Sequence, residues 1–279
     1  MSSGSAVTDQ QLVSEVERRA RVQVEDHVAT VTLTRPEKHN ALDIAMFQAI
    51  LAAAERVAAE PQVRAVVLHG EGKSFCSGLD IASLMSAQDG VEGAGIELTG
   101  PVPNRPQRVA YDWTTLPVPV IAAIHGNCLG GGLQIALGAD IRIAHPESRL
   151  SVAEVKWGLI PDMSLTQTLP RLVAMDVAKE LTFTARVLGG EEAHGLGLVT
   201  RLADDPLAAA QELAREIAGR SPDAVRAAKR LLEESWGRPA QETLALEASL
   251  QGSLIGSPNQ LAAVIAGMSG EPPQFTDPA

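Results

Sequence analysis

Aromatic side chains are scarce: only 3% of the 279 residues are Phe, Trp or Tyr. A core of any size must therefore be filled by Ala, Val, Leu and Ile. There are two cysteines, Cys76 and Cys128. That excludes a disulfide framework and fits a cytoplasmic protein with two buried thiols. No apolar run reaches the roughly 18 residues that a membrane span requires. Basic residues are outnumbered, 23 against 34, for a net charge of -11. That speaks against a nucleic-acid partner, which needs a basic face; a few local Lys or Arg residues can still hold an anionic ligand.

Several motifs are also missing. Gly72-Lys73-Ser74 resembles the end of a phosphate-binding loop, but the required earlier glycine is replaced by Val67. No G-x-G-x-x-G follows a strand, and no G-x-S-x-G marks a hydrolase elbow. The six histidines show no pair at H-x-x-x-H spacing, so no metal site is expected. The first residues, MSSGSAVTDQ, lack the basic-then-apolar pattern of an export signal. Residues 1–19 are expected to be a disordered leader.

What is present is periodic. Arg21 to Thr34 alternates like a hairpin, and Asn40 to Glu60 carries apolar residues at helical spacing until Pro61. Val63 to Leu68, Val118 to Ile124 and Ile141 to Ala144 read as buried strands, with Leu198 to Leu202 strand-like. Helical patterns fall at Met163–Leu172, Ala174–Thr184 and Glu191–Leu196, and after Pro206 everything reads as helix. Strands alternating with helices predict an α/β fold. Residues 20–200 form its expected core and 201–279 a helical C-terminal region. Ser86 to Pro106 is rich in Gly and Pro and reads as a loop over a site.

Two turns carry chemical interest. One is Ser74-Phe75-Cys76-Ser77-Gly78-Leu79-Asp80; the other is Gly126-Asn127-Cys128-Leu129-Gly130-Gly131-Gly132. Each lies between a strand and a helix, where a first-turn N–H has no partner within its helix. Two such donors converging on one oxygen make an oxyanion hole, and the helix dipole at the second turn favours negative charge. Glycine there lets a ligand carbonyl come close.

Together with Arg35-Pro36-Glu37-Lys38-His39-Asn40-Ala41-Leu42, Ala139-Asp140-Ile141-Arg142-Ile143-Ala144 and Ala153 to Asp162, these turns form an ordered set. The chain resembles the crotonase (enoyl-CoA hydratase/isomerase) superfamily from about residue 20 to 255. The resemblance implies a crotonase-like ββα spiral core with a C-terminal helical trimerisation region. It also implies an acyl-CoA thioester substrate of fatty-acyl type, no separate cofactor, and a homotrimer or dimer of trimers. By motif position, the oxyanion donors would be the N–H groups of Leu79 and Gly131, stabilising a thioester enolate by about 3 kcal/mol each.

Hydratases of the family use two glutamates. One place here holds Glu154; the other holds Gln134, an amide that orients but does not exchange protons near neutral pH. Asp162 follows Glu154 by eight residues, as an acidic residue does in the family's dienoyl-CoA isomerases. Two readings of Asp162 stand here: a second acid/base group, or the N-cap of the helix expected over Met163–Leu172. For Gln134 the readings are a water-orienting amide or a packing role. An isomerase with Glu154 as base is therefore expected, with an enoyl-CoA hydratase using Gln134 and a non-catalytic binding protein as the alternatives. Lys38, in the loop that in the family meets the nucleotide, and Lys73, just before the oxyanion turn, are the expected electrostatic contacts to coenzyme A or else solvated surface lysines; the turn Cys76 to Asp80, with Ser77 and Asp80, is expected to meet the adenine end through its backbone. Ala262 to Gly270 holds no Lys or Arg, unlike the basic last helix of many relatives; Leu244, Leu246, Leu250, Leu254 and Ile255 read instead as a subunit-facing surface.

Overall fold

The computed structural model describes residues 18–86 and 100–278. The expected leader up to residue 17, and residues 87–99 of the expected loop over a site, lie outside them.

The hairpin forms from β1 (Ala20–Glu25) and β2 (Val28–Leu33), antiparallel and in register from Ala20↔Leu33 to Glu25↔Val28. Its two-residue turn places Asp26 and His27 at φ 46° and 66°. That left-handed pair gives the twist a tight hairpin needs, and Asp tolerates it better than most residues. Helix α1 (Ile44–Ala58) follows, with Asp43 accepting the Met46 N–H as its cap.

Four further strands run parallel to β2: β3 (Ala65–Gly70), β4 (Val120–Ile124), β6 (Ile141–Ala144) and β9 (Arg201–Leu202). The sheet order is β1-β2-β3-β4-β6-β9. Period-two alternation sends each strand's side chains to two cores. Val66, Leu68, Val120, Ala122 and Ile124 face a large cluster that includes Met46, Ile50, Trp113 and Leu133. Ala65, Val67, Ile121, Ala123 and Ile143 face a second cluster. Its lid is α8 (Pro206–Ala218), through Ala210, Leu213, Ala214 and Ala218.

A second sheet has the order β5 (Asn127–Leu129), β7 (Arg149–Ser151), β8 (Leu188–Gly189). Between and around the strands lie α2 (Ile81–Ser86), α3 (Arg105–Thr115), α4 (Gly131–Leu137), α5 (Leu165–Thr168), α6 (Met175–Thr184) and α7 (Gly190–Gly195). The helix expected over Met163–Leu172 is shorter. It is α5 followed by a 3-10 turn at Leu169–Arg171, because Pro170 supplies no N–H and its ring clashes with the preceding turn.

The C-terminal region is α9 (Pro222–Ser235), α10 (Ala240–Leu254) and α11 (Pro258–Ser269). The core does not stop at residue 200. Strand β9 joins the main sheet, and α8 buries its second face. One tie between α9 and the core is Lys229, whose Nζ donates to Asp140 Oδ2 at 2.8 Å and to the carbonyls of Val118 and Trp113.

Candidate active site

The two turns lie side by side. Backbone hydrogen bonds lace them together: Phe75 N to His125 O, Cys76 N to Asn127 O and Leu129 N to Cys76 O, all 2.8–3.0 Å. The triple glycine fits this contact. A methyl group on Gly132 would lie 2.4 Å from Cys76 O, which no side chain tolerates. Gly130 stands at φ 52° and turns the chain into α4.

Leu79 is held by a bridge to Leu42. Leu42 donates its N–H to Gly78 O at 2.8 Å, and Asp80 donates to Leu42 O at 3.0 Å. In an extended bridge of this kind, the middle residue's own N–H faces the other way. The N–H of Leu79 therefore points away from Leu42 and has no backbone acceptor among the described residues. The triple-glycine turn is adjacent: a methyl on Gly78 would sit 2.7 Å from Leu129 O and 3.6 Å from Gly131 N. Gly131 is the first residue of α4, so its N–H has no partner within the helix.

Glu154 lies on a 3-10 turn just after β7 and is 6% exposed. Its Oε1 accepts the Gln134 amide at 2.6 Å and lies 3.3 Å from where a Gly130 methyl would be, so the carboxylate borders the glycine turn. Its Oε2 is buried and has no hydrogen-bond partner among the described residues. Burial raises the Glu154 pKa, and the neighbouring Asp162 adds to that; hydrogen bonds from the backbone and Gln134 do not outweigh them. Gln134 is 1% exposed, and its Oε1 accepts the Met163 N–H at 2.8 Å. One amide thus spans from Glu154 to the residue beside Asp162.

Asp162 is not a helix cap. The helix begins at Leu165, behind Ser164 in the left-handed region at φ 66°. The Asp162 side chain is open to solvent in part, yet the protein crowding it raises its pKa by desolvation. Two carboxyls with raised pKa values therefore lie within electrostatic reach of each other.

The expected coenzyme A contacts divide. Lys38 and Lys73 are exposed, and neither forms an ion pair among the described residues. Ser77 is half-buried, its hydroxyl donating to Lys38 O at 3.3 Å. Asp80 is engaged within the protein: Arg35 Nη1 lies 2.9 Å from its Oδ2, and Ser83 N donates to Oδ1 at 3.2 Å. Burial pushes the Asp80 carboxyl up, but these hydrogen bonds and the Arg35 charge win and lower its pKa. Its carboxylate anchors the turn to Arg35 and Ser83. Burial raises the Cys76 thiol to about 12 and Cys128 well above its ordinary value, so neither is a ready nucleophile. Two cavities of about 690 and 700 Å3 lie between α9 and the core around Lys229 and Trp236; neither Glu154, Gln134 nor Asp162 lines them.

Two residues of the site region had no assigned role in the sequence. Asn40 is fully buried; its Nδ2 donates to the carbonyls of Glu71, Ser74 and Phe75, and its Oδ1 accepts the Arg35 N–H. Arg35 is 8% exposed. The only signal in the sequence was their membership of the RPEKHNAL stretch, polar residues set between a strand and a helix.

A buried carboxylate, Glu154, thus borders two turns that are joined by backbone hydrogen bonds. The chain belongs to the enoyl-CoA hydratase/isomerase family: the family model matches residues 23–277. It is 32% identical over 274 residues to methylglutaconyl-CoA hydratase, mitochondrial, of Mus musculus, covering 94% of this chain and 84% of that protein. It is 33% identical over 260 residues to the Delta(3,5)-Delta(2,4)-dienoyl-CoA isomerase, mitochondrial, of the same species, covering 87% and 76%. The crystal structure of enoyl-CoA hydratase from Bacillus anthracis superposes with a TM-score of 0.84 at 29% identity, over 92% of this chain and 98% of that one. The crotonase fold expected from the sequence is the fold observed. No helix of the described residues is long and apolar enough to cross a membrane.

Proposed function

We propose that this enzyme moves a double bond in an enoyl- or dienoyl-CoA thioester. The thioester oxygen lies between the N–H groups of Leu79 and Gly131. Glu154 removes the proton from the α-carbon; the electron pair passes into the thioester, and the enolate oxygen is held by the two donors. For a 3,5-diene the charge is delocalised along the chain, and a proton delivered to the far carbon from Asp162 leaves the 2,4-diene. The proton on Glu154 then returns to Asp162 through solvent, and no further cofactor enters the balance.

The observation that carries this reading is the state of Glu154. Its Oε2 is buried and unpartnered among the described residues, while Oε1 is held by an amide that cannot itself titrate. Two carboxyls with raised pKa values, Glu154 and Asp162, suit a proton shift along a conjugated chain. The second reading is hydration of an enoyl-CoA with Gln134 orienting water, which the likeness to methylglutaconyl-CoA hydratase favours. Lys38 and Lys73, exposed near the turn, are assigned to coenzyme A phosphates. The apolar side chains on α10, α11 and the link between them that stand in solvent, including Leu244, Ile255, Leu261 and Ile265, are assigned to a homotrimer or dimer of trimers.

The test is an absorbance assay with 3,5-dienoyl-CoA and, separately, crotonyl-CoA. Growth of the conjugated-diene band, lost in both Glu154→Gln and Asp162→Asn, is the expected result. Rapid loss of the crotonyl-CoA band with a slow diene shift would replace this reading with the hydratase.

A further inference from the structure

Arg35 lies outside the reacting groups, yet one of its nitrogens touches both sides of the bridge that aims the Leu79 N–H. Nη1 donates to Ala41 O at 3.1 Å and pairs with Asp80 Oδ2 at 2.9 Å. Ala41 is the residue before Leu42, and Asp80 is the residue after Leu79. The Leu42–Leu79 bridge therefore sits under a single guanidinium nitrogen. Nη2 lies 3.4 Å from Asp43 Oδ2, the carboxylate that caps α1. The Arg35 N–H is itself held by Asn40, whose amide reaches Glu71, Ser74 and Phe75 at the start of the first turn.

The side chains of Arg35 and Asp80 are 9% and 10% exposed, so this pair is largely desolvated. Buried ion pairs give little net stability over apolar packing, but they fix geometry because few arrangements satisfy both charges. A planar guanidinium with several donors at fixed angles does this where a lysine ammonium, a point charge on a flexible stem, does not.

We propose that Arg35, through Asp80 and Ala41, is the positioning residue of the oxyanion hole: it sets the direction of the Leu79 N–H. The inference rests on the thioester-enolate reading of the site but not on the choice between isomerase and hydratase. Oxyanion donors act over a narrow range of distance and angle, so a small rotation at Leu79 is costly to the enolate and nearly neutral for binding the rest of the thioester.

The test uses acetoacetyl-CoA, whose enolate has its own ultraviolet band, so donor quality is read without turnover. Wild type, Arg35→Lys, and the paired substitution Arg35→Met with Asp80→Leu are compared. The paired change removes both charges of the pair while Asp43 keeps Arg19 at 2.7 Å, and circular dichroism checks that the fold is kept. The expected result is a dissociation constant within about twofold of wild type and a bound-enolate fraction lowered about tenfold or more in both variants. Variants that keep the wild-type enolate band would overturn the positioning role and leave the site reading intact. A wild type that binds acetoacetyl-CoA without raising the enolate band would sink the oxyanion hole itself, and this inference with it.

Discussion

The Gln134 amide donates to Glu154 Oε1 at 2.6 Å and leaves Glu154 Oε2 buried with no partner among the described residues. The carboxylate is thereby held in place by a group that never competes for its proton.

That hydrogen bond pulls the Glu154 pKa down against burial and the Asp162 charge, which push it up. Gln134→Met removes the downward pull. As a base, Glu154 must be ionised, so the acid limb of the kcat/KM–pH profile moves to higher pH in this variant. A limb that stays in place would show that the amide does not tune the base.

Glu154 also carries a stability consequence. Its folded pKa is raised, so the folded chain binds more protons than the unfolded one, and stability falls as pH rises from the unfolded pKa through the folded pKa. Glu154→Gln lacks this cost. Its melting temperature is expected to exceed that of wild type at neutral pH, with the gap closing below the ordinary glutamate value of 4.5. Equal melting temperatures at both ends would contradict the buried, destabilised carboxylate. Functional groups often stand at such a cost to the fold.

Gly132→Ala tests the contact between the two turns. The added carbon would meet Cys76 O at 2.4 Å and Cys76 Cβ at 2.8 Å, so one turn must shift. Because Cys76 and Leu79 share a turn, the donor at Leu79 moves with it. A fall in kcat/KM of about a hundredfold is expected from a displacement of this kind. Steady-state kinetics on the folded variant decide it.

Lys229→Met tests the clamp on α9. Burial outweighs the Lys229 charge and keeps the Asp140 pKa raised, so the pair is stable only while both partners remain. Removing the ammonium takes this donor from the carbonyls of Trp113 and Val118 and leaves the Asp140 charge with the Val120 N–H but without its cation. A loss of about 3 kcal/mol in urea unfolding is expected. A loss below about 1 kcal/mol, the level of an exposed pair, would mean that solvent reaches the clamp.

The sequence by itself determined the elements whose signal is local. The β1–β2 hairpin and α1 were legible in their periodicity, and β3, β4 and β6 as short apolar runs, because one face or both faces of each must leave water. The ordered motifs pointed to the family, and the two turns with their glycines stood out because close backbone contact leaves room for no other residue. The limits of local pattern are equally specific. The helix expected from Met163 was cut short at Pro170, and the core expected to end at residue 200 continued through β9 into α8, whose buried face pairs with strands far back in the chain. Only the tertiary structure decided the hydrogen bonds that join distant residues: Gln134 to Glu154 and Met163, Asn40 to the turn at 71–75, and Arg35 to Asp80. It also took Asp162 off the helix cap and turned the Asp80 carboxylate inward. Periodicity reports which side of an element meets water. The partner of a buried polar group is set by which elements pack together, and no spacing along the chain encodes that.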